Sequence, residues 1–457
     1  MVEGFGVGRR RLAIFGVTAL LLGLPAVAMR MLCVGHACDA AAEATARTPF
    51  CSLPSEVRSR LTNGFREGRS GEVLAVSGAR QVVGGSGPEN NEKLAWPTTS
   101  YEPVRVPIVF SGSGIKQGAS IASGTGLDDV APTIAEIIDL TRPHPEVRSG
   151  EAVEGVATTA DPPRLVVELV WKRIGSDDIE RQLDHLPALA RLIREGAATF
   201  DGDSVSLPND PAALVTTIGT GGTPSQHGMT GSLLRNDRGR LVRAWGKDSP
   251  INVIATLGDD LDQAKDDEAV ISLVGSEAGD RGLIGGRWYP EGDKDVVLLT
   301  PRGASMRSQL RTTTRLLERS ALGRDNVPDL LGLVQSGSLK ELDVALAEVI
   351  ETARSVSGGS ATFVVTATGK AAPAGSRNVL KAAKITAQLE QRVPGRAGVV
   401  EAVTPGAFFL KQRVLARRGL SDDAVLAPLL SMRAHNKKIF VDAFPGNAVT
   451  FGRYCNG

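Results

Sequence analysis

Short apolar runs alternate with amphipathic segments along most of this chain, and the runs are rich in Val, Leu and Ile. Alternation of this kind predicts an α/β fold with a largely parallel central sheet, because parallel strands need helical crossovers between them. The predicted buried strands are Glu72–Ser77, Arg105–Phe110, Arg164–Val170, Ala269–Val274, Asp295–Leu299, Asp329–Val334, Thr362–Thr366 and Lys438–Phe444.

Two segments between the predicted strands have helical periodicity. Asp178–Gly196 predicts an amphipathic helix that ends at a glycine, and Ser338–Ala353 predicts a second helix with one apolar face. We therefore expect helices to cover the sheet. Residues 39–51 and 151–163 lack periodicity and are predicted to be linkers.

The first residues of the chain carry an export signature. Three arginines at 9–11 precede an apolar run over residues 12–29, and Ala26-Val27-Ala28 matches a small-residue cleavage site. Residues 1–38 are therefore predicted to be a signal peptide or a single membrane anchor, and the length of the run leaves both alternatives open. Because the basic residues come before the run, we expect the rest of the chain outside the cytoplasm.

Composition narrows the class of protein. The 457 residues include 52 Lys and Arg against 51 Asp and Glu, and 42% are hydrophobic. This hydrophobic content excludes a disordered chain and a polytopic membrane protein, and the balanced charge excludes a basic polyanion binder, so no nucleic-acid partner is expected. Length alone allows two or three domains or one large α/β domain.

The chain has four cysteines, at positions 33, 38, 51 and 455. In an exported protein, four cysteines favour two disulfides over a metal site. Cys33 and Cys38 are close in sequence, whereas a bond from Cys51 to Cys455 would tie together the two ends of the globular part. Two unpaired or locally paired thiols are the alternative.

Several segments after residue 164 resemble motifs of the alkaline phosphatase superfamily. Residues 186–197 are similar to the helix that follows that family's first strand, and residues 216–229 are similar to its segment ending in His-Gly. Residues 328–334 and 361–366 resemble two further family strands. The resemblance implies an alkaline-phosphatase-like α/β/α sandwich of the type I phosphodiesterase and nucleotide pyrophosphatase branch.

The first part of the chain resembles the end of the same family domain. Residues 105–118 and 127–138 are similar to family segments that close the domain, yet here they precede its beginning. The resemblance therefore implies a circular permutation: residues 52–150 match the family's C-terminal region, 151–163 join old end to old start, and 164–457 hold the rest.

A permuted order also bears on the cysteines, because it brings Cys51 and Cys455 to places where the family chain is continuous. The two residues would then lie close in space and could form a disulfide across the new break. A tandem duplication is the alternative explanation, but each motif occurs once.

Enzymes of this superfamily use a Thr or Ser nucleophile on two metal ions held by Asp and His ligands. The resemblance places the corresponding positions on Trp171, Pro211, Ala367 and Thr368. Trp171 stands where the first strand should end in a ligand Asp. Pro211 falls on the nucleophile position, and Ala367-Thr368 replaces an Asp-His pair. No metal cofactor is therefore expected.

A shifted alignment puts Ser206 on the nucleophile pattern in place of proline. If the chain is active, Ser206, Thr216 or Thr217 is the candidate nucleophile, and Asp210 or His227 is the candidate base. His227 matches a family position that is not a metal ligand. A structural histidine in a turn is therefore the alternative interpretation.

The sequence favours a catalytically inactive binding or scaffolding protein of the cell envelope, with a protein or envelope component as its unidentified partner. One alternative is a divergent phosphoric or sulfuric ester hydrolase with a Ser or Thr nucleophile. Another is a structural envelope protein, which predicts a large exposed apolar patch. The cluster Lys411, Arg413, Arg417 and Arg418 is interpreted as a solvated helix face, with contact to an anionic surface as the alternative.

Overall fold

The computed structural model describes residues 48–78, 82–84, 94–95, 100–158, 162–289, 295–301, 303–370, 372–373, 379–396, 398–434 and 436–455. The predicted export segment, with Cys33 and Cys38, lies outside these residues. Among the helices described, none combines the length and the apolar character needed to cross a membrane.

The strands agree with the apolar runs of the sequence: each of the eight predicted strands overlaps an observed one within two residues at either end. In chain order the strands are β1 (Val73–Ser77), β2 (Val82–Gly84), β3 (Leu94–Ala95), β4 (Arg105–Gly112), β5 (Leu165–Trp171), β6 (Ala197–Asp203), β7 (Leu233–Arg235), β8 (Leu241–Arg243), β9 (Ile271–Gly275), β10 (Val296–Leu299), β11 (Asp329–Gln335), β12 (Ala361–Ala367), β13 (Ala372–Pro373), β14 (Val379–Lys381), β15 (Val400–Thr404), β16 (Ala407–Leu410), β17 (Arg433–Ala434), β18 (Lys437–Lys438) and β19 (Phe440–Pro445).

The helices include the predicted one over Ser338–Ala353, which is confirmed and whose first turn is capped by the Ser338 side chain. In chain order the α-helices are α1 (Ser55–Asn63), α2 (Val130–Ile137), α3 (Ser176–Glu180), α4 (Pro187–Glu195), α5 (Pro211–Thr220), α6 (Pro224–His227), α7 (Leu257–Ala264), α8 (Met306–Arg319), α9 (Leu339–Val356), α10 (Ala382–Arg392), α11 (Gln412–Arg417), α12 (Leu426–Leu430) and α13 (Gly446–Phe451).

The larger sheet has the strand order β10, β9, β11, β5, β12, β4, β6. The pairs from β10 to β12 are parallel, whereas β4 runs antiparallel to both of its neighbours. Every residue of β5 is buried, as expected of a strand in a sheet covered on both faces. The predicted largely parallel central sheet is confirmed.

Helices cover both faces of this sheet. Val166 and Val170 of β5 pack into an apolar cluster with α2, α5 and α7, whereas Val167 and Leu169 pack into a second cluster with α4, α8 and α9. The alternation follows from the strand geometry, because successive side chains point to opposite faces. The predicted α/β/α sandwich is confirmed.

A second sheet is antiparallel throughout and has the order β15, β16, β1, β19. It contains the strands predicted at Glu72–Ser77 and Lys438–Phe444, which therefore do not belong to the parallel sheet. An apolar run shows that a strand is buried but not which sheet it joins. Helices α10 and α12 pack on one face of this second sheet, and α1 and α13 pack on the other.

The prediction of one continuous helix over Asp178–Gly196 is wrong, because the structure has two helices there. Helix α3 ends at Glu180, a short 3-10 turn follows, and α4 begins at Pro187. Proline lacks a backbone N–H and has a fixed φ, so it starts a helix readily and interrupts one that runs into it. The apolar residues on both sides of the break are buried: Ile179 in α3, and Leu189 and Leu192 in α4. The sequence pattern therefore looks like that of one amphipathic helix.

The segment 151–158, part of the predicted linker, is packed against the larger sheet. Val153 and Val156 are buried in the cluster that contains α2, and the Val153 amide donates to the Thr133 hydroxyl at 2.9 Å. The Lys116 amide donates to the Val156 carbonyl at 2.9 Å. Residues 151–158 are therefore held by apolar contacts and by hydrogen bonds to Thr133 and Lys116.

The bond between Cys51 and Cys455 is present, with 5.3 Å between the two Cα atoms, and confirms that part of the cysteine prediction. It closes a loop with a sequence separation of 404 residues. Phe50 and Cys455 both pack against the apolar cluster beside α1 and α13. The disulfide thus joins the two ends of the fold next to the second sheet.

Candidate functional site

The candidate site lies at the carboxyl edge of the larger sheet, where ligands bind in open α/β sheets. Trp171 ends β5 and stands in register with Gln335 on one side and Ala367 on the other. The Thr368 amide donates to the Trp171 carbonyl at 3.2 Å, and the Thr368 hydroxyl accepts the Arg173 amide at 3.0 Å. Three of the four family positions are therefore neighbours.

Trp171 does not point into an open site. Its ring is fully buried in the apolar cluster beneath α4, α8 and α9. The indole Nε1 has no hydrogen-bond partner among the described residues. The large ring thus fills the layer between sheet and helices, and the next residue, Lys172, supplies the polar group at this strand end.

Lys172 is only 3% exposed, and its ammonium group is surrounded by oxygen atoms. Nζ donates to Glu277 Oε1 at 2.8 Å, to Asp280 Oδ1 at 2.9 Å and to Ser276 Oγ at 3.4 Å. We call Lys172, Glu277 and Asp280 the lysine cluster. It places one buried positive charge at the carboxyl end of the central strand.

The charges in the lysine cluster shift each other's protonation. Burial lowers the pKa of Lys172, but the charges of Asp280 and Glu277 outweigh burial, and the pKa lies above its ordinary value. The Lys172 charge in turn holds the pKa of Glu277 below its usual range. Lys172 and Glu277 are therefore both ionised at neutral pH.

The loop that carries the two carboxylates is fixed by its own hydrogen bonds. Asp280 Oδ2 accepts the amides of Ser276 at 2.7 Å and Glu277 at 3.0 Å, which leaves Oδ1 for the lysine. This capping of a 3-10 helix over Ala278–Leu283 follows the preference of a helix N-terminus for an acidic side chain. These bonds fix the orientation of the Asp280 carboxylate towards Lys172.

The N-terminus of α5 packs directly on that 3-10 helix. A Cβ on Gly279 would stand 2.8 Å from the Cβ of Ala212, so this close approach requires a glycine. Pro211, the fourth family position, is the first residue of α5 and is buried. It therefore belongs to the same region as the other three positions, with the loop of the lysine cluster between them.

Asp210, a candidate base, caps α5 and is not hydrogen-bonded to any of the three candidate nucleophiles. Its carboxylate accepts the Ala212 amide at 3.0 Å and the Ser232 hydroxyl at 2.7 Å. Burial raises its pKa, and the nearby Glu277 charge adds to that effect. Ser206, four residues earlier, is fully buried, and its hydroxyl has no hydrogen-bond partner within the described part of the chain.

Thr216, one of the two threonine candidates on α5, is hydrogen-bonded to neither candidate base. The Thr216 hydroxyl donates to the Ala212 carbonyl at 2.8 Å and accepts the Trp245 indole N–H at 3.1 Å. Its proton is therefore given to a backbone carbonyl, in the local pattern common for threonine within helices. Nothing in this arrangement withdraws that proton for chemistry.

His227 contacts Thr217 but is set as a donor. Its Nδ1 accepts the Met229 amide at 3.1 Å, so the ring proton of the neutral imidazole resides on Nε2, which lies 3.1 Å from the Thr217 hydroxyl oxygen. Burial, with the charges of Arg69 and Arg66, lowers the pKa of His227 to about 3. The interpretation of His227 as a structural histidine is the one that this geometry favours.

The side chains at the family positions do not fit a two-metal site. Trp171, Pro211, Ala367 and Thr368 offer an indole, a ring, a methyl and a neutral hydroxyl, and a metal ion of this type prefers carboxylate and imidazole ligands. Among the described residues, no group of three or more His, Cys, Asp or Glu has the arrangement of a metal site.

Sequence reasoning did not single out the lysine cluster. Lys172 was visible as the residue after the first family strand, but its partners lie more than a hundred positions away. A usable signal was the placement of Glu277 and Asp280 just beyond the carboxyl end of β9, since carboxyl ends of parallel strands share one edge of the sheet.

These features define the class: an α/β sandwich with alkaline-phosphatase-like motifs around its central sheet. Over 92 residues the chain is 30% identical to the alkaline phosphatase PafA of Elizabethkingia meningoseptica, and the match covers 20% of this chain and 16% of that protein. The match confirms the resemblance to the alkaline phosphatase superfamily. No protein-family model matches the chain.

Solved structures of the same phosphatase align with the chain. The crystal structure of wild-type PafA at 1.7 Å resolution aligns with a TM-score of 0.43 and 14% identity, covering 59% of this chain and 76% of that one. A PafA mutant aligns with a TM-score of 0.42 and 15% identity over the same shares.

Proposed function

We propose that this chain is an exported, circularly permuted alkaline-phosphatase-like protein that has lost catalysis and serves as a binding or scaffolding protein of the cell envelope. The observation that carries the proposal is the lysine cluster. A buried ammonium group, bonded to two carboxylates, stands at the strand end where the family places a metal-binding carboxylate.

A fixed ammonium group competes with a divalent cation for the same carboxylates. Asp280 gives one oxygen to Lys172 and the other to two backbone amides. A metal ion entering between Glu277 and Asp280 would have to displace a like charge held at under 3 Å, against a repulsion that burial strengthens. The geometry of the cluster therefore supports a role for Glu277 and Asp280 in holding Lys172 in the fold, and not in binding a metal ion.

The alternative, a divergent ester hydrolase with a Ser or Thr nucleophile, has less geometric support. Thr216 gives its proton to a backbone carbonyl, and Thr217 accepts one from His227. A serine or threonine nucleophile needs a base that removes its proton. In the described residues, the candidate base Asp210 is occupied by a helix cap and by Ser232.

Two observations support the permuted chain order. Strand β4 comes early in the sequence yet lies between the late strand β12 and β6 in the larger sheet. Arg142 and Arg148, near the end of the first family-like region, both donate to the Thr220 carbonyl and to Asp260. Residues 52–150 therefore pack as part of the same α/β domain as residues 164–457.

The disulfide between Cys51 and Cys455 supports the export part of the proposal, since such bonds persist in oxidising compartments. The basic and then apolar N-terminal sequence points the same way. The envelope location is tested by expressing the full chain and asking whether it is protected from, or accessible to, a membrane-impermeant thiol reagent after mild reduction.

Loss of catalysis is tested on the purified full chain by elemental analysis and by turnover assays. The substrates are p-nitrophenyl phosphate, bis-p-nitrophenyl phosphate and p-nitrophenyl sulfate, each with and without added zinc, manganese or calcium. We expect no stoichiometric metal and no turnover. Two bound metal ions per chain would overturn the proposal.

Matched variants separate true activity from contamination. Turnover that disappears in Ser206→Ala or His227→Ala, and persists in Ser421→Ala, would establish the hydrolase alternative. Ser421 is the control because it is exposed and its side chain caps nothing. Turnover that is equal in all of these variants belongs to a contaminant and supports the inactive protein.

A further inference from the structure

The first residues of the described fold pack directly against its last ones. The Phe50 ring lies so close to Gly452 that a Cβ on this glycine would overlap it, and Cys51 is bonded to Cys455. The two stretches therefore share one surface beside the second sheet. We call this surface the entry surface and define it by residues 48–52 and 451–455.

Two aromatic side chains project from the entry surface into solvent. Phe451 is 69% exposed and Tyr454 is 74% exposed, the largest exposed fractions among the large hydrophobic side chains of the described residues. Phe451 ends α13, and Tyr454 ends the 3-10 turn that follows it. Residues three apart in helical backbone lie on one side, so the two rings are neighbours on the surface.

The entry surface also carries a cation. Arg453 lies between the two aromatic positions and is exposed. Its Nη2 donates to the carbonyls of Thr62 and Phe65 at 3.3 and 3.4 Å, and these neutral groups leave its positive charge in place. Exposed aromatic rings beside an arginine are typical of side chains that occupy the interface between a bilayer and water.

The size of the aromatic pair argues against a protein partner. An aromatic side chain presents about 150–250 Å², so at these exposed fractions the two rings together offer roughly 300 Å². A specific protein–protein interface buries about 800 Å² on each side, and more than half of that area is apolar. A bilayer needs no matching surface, so a small apolar area is enough for shallow insertion.

The sequence that precedes the entry surface points to the same partner. An apolar run over residues 12–29 predicts a signal peptide or an anchor, and residues 30–47 separate this run from Thr48. A chain of that length reaches at most about 60 Å. If the run is retained as an anchor, this tether raises the effective concentration of the bilayer for the entry surface.

We infer that the entry surface rests on a lipid bilayer, with the rings of Phe451 and Tyr454 inserted into its interfacial layer and Arg453 beside the lipid phosphates. The inference rests on the envelope location proposed above, and it makes lipid the partner of that proposal. It does not depend on the loss of catalysis, because the entry surface and the lysine cluster share no residue.

Quenching by brominated lipid measures the depth of each aromatic position. The full chain with Phe451→Trp, and separately with Tyr454→Trp, is reconstituted in vesicles of phosphatidylcholine and phosphatidylglycerol, with and without bromine on the acyl chains. The emission of the four native tryptophans is subtracted with the wild type. Because bromine quenches only an indole ring that enters the bilayer, we expect it to remove roughly half or more of the emission that each substitution adds.

Val344→Trp is the matched control. Val344 is 60% exposed on α9, a helix that packs on the larger sheet. The emission that this substitution adds should be the same in brominated and unbrominated vesicles, and thermal melting checks that each variant folds as the wild type does. Equal quenching at all three positions would show nonspecific adsorption of the chain and would overturn the inference.

The inference is also overturned by added emission at Phe451 and Tyr454 that bromine leaves unchanged. Sedimentation velocity of the full chain in detergent asks whether a second copy covers these rings instead. A dimer that disappears in the double variant Phe451→Ser with Tyr454→Ser would identify a protein contact and reject the bilayer.

The quenching test and the tests of the proposed function fail separately. Unquenched rings in a chain that the thiol reagent places outside the cytoplasm would reject the insertion alone. Thiol labelling that places the chain in the cytoplasm would reject the envelope location, and measured turnover would reject the loss of catalysis. Neither result changes the depth that is measured in vesicles.

Discussion

The lysine cluster differs from residues 379–445, which we call the basic segment, in how its positive charge is bonded. The basic segment contains eleven Lys and Arg against five Asp and Glu. In the lysine cluster one buried ammonium group contacts two carboxylates. In the basic segment the guanidinium groups of Arg392, Arg417, Arg418 and Arg433 contact backbone carbonyls. A buried charge without a partner costs several kcal/mol, but a solvated charge needs no partner. The contrast shows that the charges at the carboxyl edge of the larger sheet are paired inside the fold, whereas cations beside the second sheet bond to neutral groups.

The largest effect is expected from Lys172→Met. Removing the ammonium group leaves the Asp280 carboxylate, which is 3% exposed, without its Lys172 partner, and breaking a buried ion pair in this way costs about 3–5 kcal/mol. Urea unfolding of wild type and variant measures the loss. Lys340→Met, at an exposed position on α9, is the matched control and should leave the midpoint unchanged.

The difference in unfolding free energy between wild type and Lys172→Met should depend on pH. The pKa of Glu277 is lowered, so its stabilisation exists above the unfolded-state value and is lost as pH falls through the folded-state value. The pKa of Lys172 is raised, so its contribution is complete below the unfolded-state value and is lost as pH rises through the folded-state value. The difference between wild type and Lys172→Met should therefore be widest from about pH 5 to pH 10. A difference independent of pH would contradict the assigned charges.

Removing the disulfide, which lies next to the second sheet, should cause the next largest loss of stability. Replacing both cysteines, as Cys51→Ser with Cys455→Ser, should lower the free energy of unfolding by about 2–5 kcal/mol, because the closed loop restricts the unfolded chain. Thermal and urea unfolding in non-reducing buffer check this. Equal stability of the two forms would mean that the apolar contacts of Phe50 and α1 hold the ends without the bond.

A gain in stability is expected from Glu168→Gln in the middle of β5. Glu168 is buried, and its Oε1 has no hydrogen-bond partner among the described residues. Burial raises its pKa well above the ordinary value, so the folded chain keeps the proton while the unfolded chain releases it.

Stability is therefore lost as pH rises from the unfolded-state pKa of Glu168 towards the folded-state value, and no penalty exists below about pH 4. Glu168→Gln should raise the free energy of unfolding at pH 7 and leave it unchanged at pH 4. Glu351→Gln, at an exposed position on α9, is the control. An equal gain at both pH values would point to packing instead of ionisation.

The smallest effect is expected from Arg413→Gln in the basic segment. The residue is exposed, and a solvated cation on the surface contributes little to folding. Its unfolding midpoint should equal that of wild type within error. A clear loss of stability would show that cations of the basic segment support the fold, and would remove the contrast with the lysine cluster.

Strand positions and the layered α/β arrangement followed from the sequence because each apolar run is local information. The distribution of strands between two sheets did not follow, since Glu72–Ser77 and Thr362–Thr366 have the same pattern but different partners. The break before Pro187 could be anticipated from proline chemistry alone. The amphipathic pattern of residues 178–196 nevertheless continues across this break, and for that reason it predicted one helix where the structure has two.

At the candidate site, the sequence indicated which family positions lack ligands but not what replaces them. The contact between Trp171 and Thr368 follows from the parallel register of β5 and β12. The pairing of Lys172 with Asp280 depends on the order of strands β5, β11 and β9 across the sheet, which a local motif does not contain. Likewise, the donor role of His227 depends on a loop amide two residues further along.

The disulfide between Cys51 and Cys455 makes the chain a covalent ring around both sheets. Tension applied to the segments on the outer sides of the two cysteines would pass through the sulfur atoms and bypass the hydrogen bonds of the fold. A single cut of the backbone anywhere inside the ring would likewise leave one covalently connected molecule. In an environment with proteases and mechanical load, this topology protects the protein independently of how tightly its core is packed.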